Sequence, residues 1–396
     1  MAIRKISSRS LGDSQVDTTD IADGSVDLVK LSATGTKDAT TYLRGDNTFS
    51  ALSTTLAGLD DATVSASDPS PNSNKTPVGH VWINSTSGES YVLTDATTNA
   101  NVWKNIGDGT GAVELPVIDA FVLAGGGGGG GTDSDAPGGG GAGGYLYSTN
   151  ITLQAATTYS ITVGTGGAGG VGKNYGSDGG DSILSGTGIT TLTAIGGGGG
   201  GHPEGGAGTG DHGRDGGCGG GAGSGTGSGQ PGGSGTAGPP IQGYDGGDSV
   251  NSPSKEGGGG GGTAEAGNTD GQRYGGDGIS NSITGSPVTY GGGGAGGIFS
   301  SSTQAFGGDG GGANTASSTN SNGQNGTDGL GGGGSGAMRS AGGGSWNGGD
   351  GGDGVVIIRI PTSSYSGVTV TGSPLVTTDG TDTVVKYTGN GTFVTA

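Results

Sequence analysis

Between the apolar runs Phe121-Val122-Leu123-Ala124 and Val355-Val356-Ile357-Ile358 the chain is built very largely from glycine, with blocks at residues 125–131, 138–144 (broken by Ala142), 196–201, 257–262 and 291–297 (broken by Ala295). Glycine loses more backbone freedom on folding than any other residue, roughly 0.5–1 kcal/mol more than alanine. With 105 Gly in 396 residues, that difference scales to ~50–100 kcal/mol. Such a region is either disordered or recovers the loss through dense backbone contacts.

Gly/Ser-rich stretches usually behave as flexible linkers, but the interruptions in this one carry strand patterns. Tyr145-Leu146-Tyr147, Ile151-Thr152-Leu153, residues 159–163, Ile183-Leu184, residues 189–195 and Val288-Thr289-Tyr290 have the alternation and β-branched or aromatic content of half-buried strands. Collagen is excluded, because there is no strict Gly-X-Y period and the chain has 13 Pro. An extended polyproline-II-like chain has three residues per turn and no internal hydrogen bonds, so buried copies must bond to one another. The glycine blocks therefore read as extended spans of a packed layer on a β base. The competing reading is mobile loops on a β scaffold.

Four stretches occur in a telling order: Phe121-Val122-Leu123-Ala124 with its glycine run; the block 138–145 ending in Tyr145; residues 159–170, running from Tyr159 into Gly164 and Gly170; and residues 351–361, ending Arg359-Ile360-Pro361. Together they resemble the glycine-rich domain of tail-fibre and adhesin proteins of tailed bacteriophages, over about residues 115–361. That resemblance implies a rigid polyglycine-II-like layer whose joining loops meet a host receptor.

The remainder is organised differently. Residues 1–60 hold little glycine and space Ile6, Leu11, Val16, Ile21, Val26, Leu28 and Leu31 too thinly for one chain to bury. Residues 20–49 resemble the shaft and linker segments of phage fibres, which implies an intertwined homotrimer. The string Arg44-Gly45-Asp46 inside them is read as a chance match to an integrin motif. Residues 79–107 form a compact β unit similar to a module of phage structural proteins, with Trp82, Tyr91 and Trp103 as its core. After Pro361, residues 368–370, 383–387 and 392–395 read as short strands that either pack on the glycine domain or pair between subunits. The expected fold is all-β: an N-terminal attachment and trimerising segment (1–65), a small β module (66–112), a glycine-rich β/polyglycine-II-like domain (113–361) and a C-terminal β segment (362–396).

Catalytic and metal chemistry are weakly supported. Gly-Gly-Asp steps end at Asp181, Asp248, Asp277 and Asp353, and the last fits a calcium nonapeptide pattern, but the copies stand too far apart for adjacent turns to share an ion. Those carboxylates are expected to accept backbone N–H bonds instead. His80, His202 and His212 have no triad context, and the spacing of His202, Glu204, Asp211, His212 and Cys218 matches no structural zinc pattern. No enzyme, metal or cofactor is expected. A net charge of −19 disfavours nucleic acid and anionic membranes, and no apolar run reaches the roughly 18 residues of a membrane span. A product made in the host cytoplasm, without membrane insertion, is expected.

The side chains able to act as contact hot spots are His202, His212, Arg214, Tyr244, Arg273, Tyr274, Phe299, Phe306 and Trp346. The resemblance implies a virion fibre or adhesin. Its partners would be its own copies in a trimer, phage tail or neck proteins, and a bacterial polysaccharide or outer-membrane protein. A neck or collar whisker or head fibre without receptor binding fits the N-terminus equally. An ice-binding layer and a polysaccharide depolymerase have less in their favour.

Overall fold

The computed structural model describes residues 41–43, 49–51, 62–107, 115–203, 211–225, 229–252 and 254–395. The apolar series from Ile6 to Leu31 and the Arg44-Gly45-Asp46 string lie outside the described residues. The chain divides into two compact units, Met1–Val113 and Glu114–Ala396, and the fold is all-β.

In the first unit, β1 (Thr41–Leu43) pairs antiparallel with β2 (Phe49–Ala51). A separate four-stranded sheet has the order β3 (Ala62–Ser65), β4 (Val81–Asn84), β5 (Ser90–Asp95), β6 (Val102–Gly107). Trp82 is buried and meets Trp103 edge-on at 5.6 Å between ring centroids. Tyr91 is only half-buried, its hydroxyl donating to Glu89. The fully buried residue is Leu93, which the aromatic pattern did not single out.

The second unit starts with β7 (Val117–Leu123), followed by β8 (Tyr145–Thr152), β9 (Thr158–Thr162), β10 (Ser182–Ser185), β11 (Leu192–Ala194), the hairpin β12 (Ile279–Asn281) and β13 (Val288–Tyr290), and β14 (Val355–Pro361). A single helical turn, α1 (Thr362–Tyr365), leads to β15 (Thr369–Thr371), β16 (Leu375–Asp379), β17 (Asp382–Tyr387) and β18 (Gly391–Val394). Two five-stranded sheets result, ordered β16-β17-β14-β7-β8 and β11-β10-β9-β18-β15. The C-terminal strands thus complete the base of the glycine domain within the same chain.

The core between the sheets joins Ile118, Val122, Val356, Ile358 and Tyr387 on one side to Tyr159, Ile161, Leu184 and Phe393 on the other. The opposite face of the first sheet places Phe121, Leu123, Val355 and Ile357 under the β12–β13 hairpin, with Tyr290 at 4.8 Å from the Phe121 ring. Strands β7 and β14 are therefore covered on both faces, which is why their apolar residues run on without alternation.

Glycine runs extend from these strands as a hydrogen-bonded lattice. Within residues 125–131, Gly125, Gly128 and Gly131 donate to Gly180, Ser177 and Asn174; Gly126 and Gly129 donate to Gly352 and Gly349; Gly127 and Gly130 donate to Gly141 and Gly138. Carbonyls of the same run accept from Gly197 and Gly200, from Gly167 and Gly170, and from Gly334 and Ala337. Three antiparallel neighbours receive its donors and three parallel neighbours supply its acceptors, so the run sits among six others. Donor direction repeats every third residue, the period of a polyglycine-II helix. Residues 138–144 are enclosed in the same way, donating to Gly201, Gly258 and Gly334 and accepting from Gly130, Gly221 and Gly294.

Glycine is required here by the neighbours. A Cβ on Gly127 would collide with the Gly198 carbonyl, and one on Gly129 with the Ser335 carbonyl. Neither obstacle is a flexible side chain. Gly127→Ala or Gly129→Ala is expected to destabilise the protein by more than the ~1–3 kcal/mol of ordinary overpacking. Gly344→Ala, which meets nothing within 4 Å, should melt like the parent. Equal melting curves for all three variants would refute the lattice.

Candidate functional site

The runs that leave β7, β9, β11 and β13 end level with one another, because Gly131 bonds to Asn174, Gly138 to Gly201, Gly297 to Pro137 and Thr132 to Trp346. The loops at this level form the distal end of the lattice, away from the β sandwich. Isolated bridges tie them sideways: Thr132 with Trp346, Val250 with Glu256, Glu256 with Ile298, Phe299 with Arg339, and Ser321 with Met338.

Phe299 is the centre of the distal loops. Lys255 Nζ lies 6.0 Å and Arg339 Cζ 5.9 Å from its ring centroid, within cation–π range. Lys255 donates to Asp135 at 2.6 Å. Arg339 is held by carbonyls only, donating to Ser134, to Gly344 at 3.2 Å and to Gly343 at 3.0 Å. Among the described residues no carboxylate pairs with its guanidinium. Trp346 is half-buried, and its indole N–H is buried without an acceptor among the described residues.

The other expected contact residues fall into separate groups. His202, Arg214 and Tyr175 come together: His202 meets Tyr175 edge-on at 4.7 Å, and Arg214 lies 5.9 Å from the Tyr175 centroid while pairing with Asp178 at 2.7 Å. His212 is exposed beside them, its Nε2 3.1 Å from Gln230 Oε1. Tyr274 and Phe306 stack at 5.8 Å on adjacent outer runs, and Tyr244 is exposed on its own. His202 and Arg273 are corrections to the expected surface set, being only 7% and 6% exposed. Edge packing on Tyr175 encloses the first, and the loop carbonyl of Thr303, which accepts from its guanidinium at 3.1 Å, encloses the second. Burial lowers the Arg273 pKa from its usual range, with Glu256 opposing that shift.

Lys255, Arg339, Asp135 and Tyr175 were missed, although Lys255 and Arg339 belong to the residue class that singled out Arg214 and Arg273. Cys218 is buried beside Gly143 near the sandwich, at the opposite end from His202. Burial pushes its thiol up to about 12.

A family model described as a glycine-rich domain matches residues 105–361. The chain belongs to this glycine-rich domain family. No curated protein matches it. Among the described residues no helix is long and apolar enough to cross a membrane.

At the outer runs of the glycine-rich domain, aspartate and asparagine side chains take the place of a missing neighbour. Asp353, Asp350 and Asn347 accept the N–H of Gly166, Gly169 and Gly172 at 2.8, 2.8 and 3.0 Å. Their own N–H groups go to Asp328, Asn325 and Asn322 at 3.1, 2.9 and 2.9 Å. Asp181, Asp248 and Asp277 do the same for Gly196, Gly232 and Asp309. All four aspartates of the Gly-Gly-Asp steps are thus backbone acceptors. Removing the acceptor in Asp353→Ala should cost about 1–3 kcal/mol in chemical denaturation, whereas Asp353→Asn should stay close to the parent. Equal losses in both variants would mean that the carboxylate charge matters rather than the bond.

One carboxylate group is different. Oxygens of Glu265, Asp270 and Asp277 lie within 4.8 Å of one another, and Glu265 Oε1 is buried with no hydrogen-bond partner among the described residues. Burial first, then repulsion from Asp270 and Asp277, raises the Glu265 pKa above its ordinary 4.5. A raised carboxylate favours the fold while protonated, so its contribution is present below 4.5 and is lost as pH climbs through the folded value. Glu265→Gln is therefore expected to raise Tm at neutral pH and to lose that advantage in acid. A lower Tm at neutral pH would show that the charge is compensated in the parent.

Proposed function

We propose that this glycine-rich chain is a structural virion protein of a tailed bacteriophage. It is a tail fibre or adhesin that attaches through its N-terminal region as a homotrimer and presents its distal loops to a bacterial surface receptor. The observation that carries this reading is the division of labour inside the lattice. Interior runs carry only a few small, buried side chains such as Ala142, Cys218 and Ser335, while the distal loops gather Phe299, Lys255, Arg339 and Trp346 on segments bridged to one another. Interface hot spots favour aromatics and arginine held on rigid supports. The motif order from Phe121 to Pro361 is what links the chain to phage fibres.

Phe299→Ala combined with Trp346→Ala, in particles carrying the variant protein, is expected to weaken host attachment by roughly a thousandfold if each side chain contributes ~2 kcal/mol. Thermal stability of the purified protein should change little, because lattice contacts are made by the backbone. Unchanged attachment with unchanged stability would remove the distal loops as the receptor surface and favour a whisker or head fibre. A large stability loss would make these aromatics part of the packing.

A further inference from the structure

A groove of about 640 Å³ opens between residues 312–318 and 321–325 on the flank of the lattice. A serine changes the bonding pattern beside it. Thr327 N–H bonds to Gly311 O in the adjacent run, and the three-residue period would send Gln324 N–H to that same run. Instead Ser335 Oγ, fully buried, receives the Gln324 N–H at 2.8 Å. Gln324, so redirected, is one of the residues that line the groove.

Among the described residues the lining carries no charged side chain, in a chain whose net charge is −19. Its asparagines are held in one orientation. Asn322 and Asn325 Oδ1 each accept a backbone N–H, from Asn347 and Asp350, at 2.9 Å, and Asn314 Oδ1 accepts from Gly307 at 2.9 Å. These bonds occupy Oδ1 in all three, and no Nδ2 of the three donates to a partner among the described residues. Asn322 and Asn325 stand three residues apart on an extended run, about 9 Å. On the facing side, Gln304 Nε2 donates to Thr315 O at 2.8 Å, which leaves its Oε1 as an acceptor. The hydroxyls of Ser318 and Ser321 meet at 2.8 Å across the end of the groove.

We propose that this groove binds an extended, uncharged glycan. Its volume is in the usual range for ligand sites. Amide N–H donors of Asn314, Asn322 and Asn325, with the Gln304 Oε1 acceptor and the hydroxyls of Ser318 and Ser321, give the lining both donors and acceptors for the hydroxyls of a sugar chain. The surrounding negative field disfavours uronate or phosphate-bearing chains. A peptide fits less well, because the lining offers no apolar pocket to anchor side chains. The groove ends at Ser321, in the distal loop bridged to Met338, but its lining includes none of Phe299, Lys255, Arg339 and Trp346.

The test uses the full chain against an immobilised panel of neutral and uronate-bearing oligosaccharides and a glycine-rich peptide. Asn322→Asp with Asn325→Asp keeps the backbone acceptors, as Asp328, Asp350 and Asp353 show, but removes two donors and adds charge. Binding to neutral members is expected, with a loss of roughly tenfold or more in the double variant and none in Phe299→Ala. If the double variant melts below the parent, Asn314→Asp supplies the same reading alone. No neutral glycan retained, binding indifferent to these changes, or capture of the peptide or uronates only would overturn the proposal. Neutral-glycan binding without any attachment phenotype in the Phe299 and Trp346 variants would separate this groove from the receptor reading.

Discussion

The backbone hydrogen bond, made without any side chain between the partners, holds this molecule together. Each residue of an interior run turns its N–H by a third of a circle relative to the one before it. Successive donors on residues 125–131 therefore reach three different neighbours. Each such bond contributes only about 0.5–1.5 kcal/mol net, while leaving a buried N–H unmade costs about 1–3 kcal/mol. The arrangement is stable only if it is complete. Its boundary is consequently as constrained as its interior, and the aspartate and asparagine rows at the outer runs are the boundary's solution.

The β sandwich sets where the runs begin. Because β7 and β14 lie side by side in one sheet, with Val355 opposite Leu123, the first and last runs leave the base together and in register. The hairpin β12–β13 brings a further pair of runs to the same level and covers the Phe121 face. Side chains then concentrate where they do not interfere with the lattice, on the outer rows and in the distal loops.

Much of this was legible in the sequence. The strands bounded by Phe121 and Ile358, the packed glycine layer and the role of Asp181, Asp248, Asp277 and Asp353 follow from the cost of ordering glycine and from short polar side chains beside it. Strand β8 spans Tyr145 to Thr152, where the pattern shows two pieces, and a bulge lies between them: the pairing with β7 shifts register between Ser148 and Ile151, at Asn150 with φ 57, whose N–H goes to Asp119 Oδ1. Strands β12 and β16 were not foreseen, being short and polar. Arg273 and His202 read as exposed because burial in a lattice depends on which run lies alongside, and nothing local encodes that. Phe299 was visible as an aromatic, but its two cations come from loops 44 and 40 residues away in the chain, at Lys255 and Arg339. The groove has no local signature, because it depends on how residues 312–318 and 321–325 lie against each other in the fold.

The bonds between runs also have a mechanical meaning. They lie across the run axis, so a pull applied at the distal loops and resisted at the sandwich loads them in shear rather than one after another. The central run, bonded to six neighbours along its length, cannot slip without breaking several bonds at once. Resistance of that kind is governed by the unfolding rate rather than by equilibrium stability. A protein whose interior has almost no side chains to repack has few intermediate states through which to yield, and force entering at Phe299 or Trp346 is passed to the sandwich with little extension.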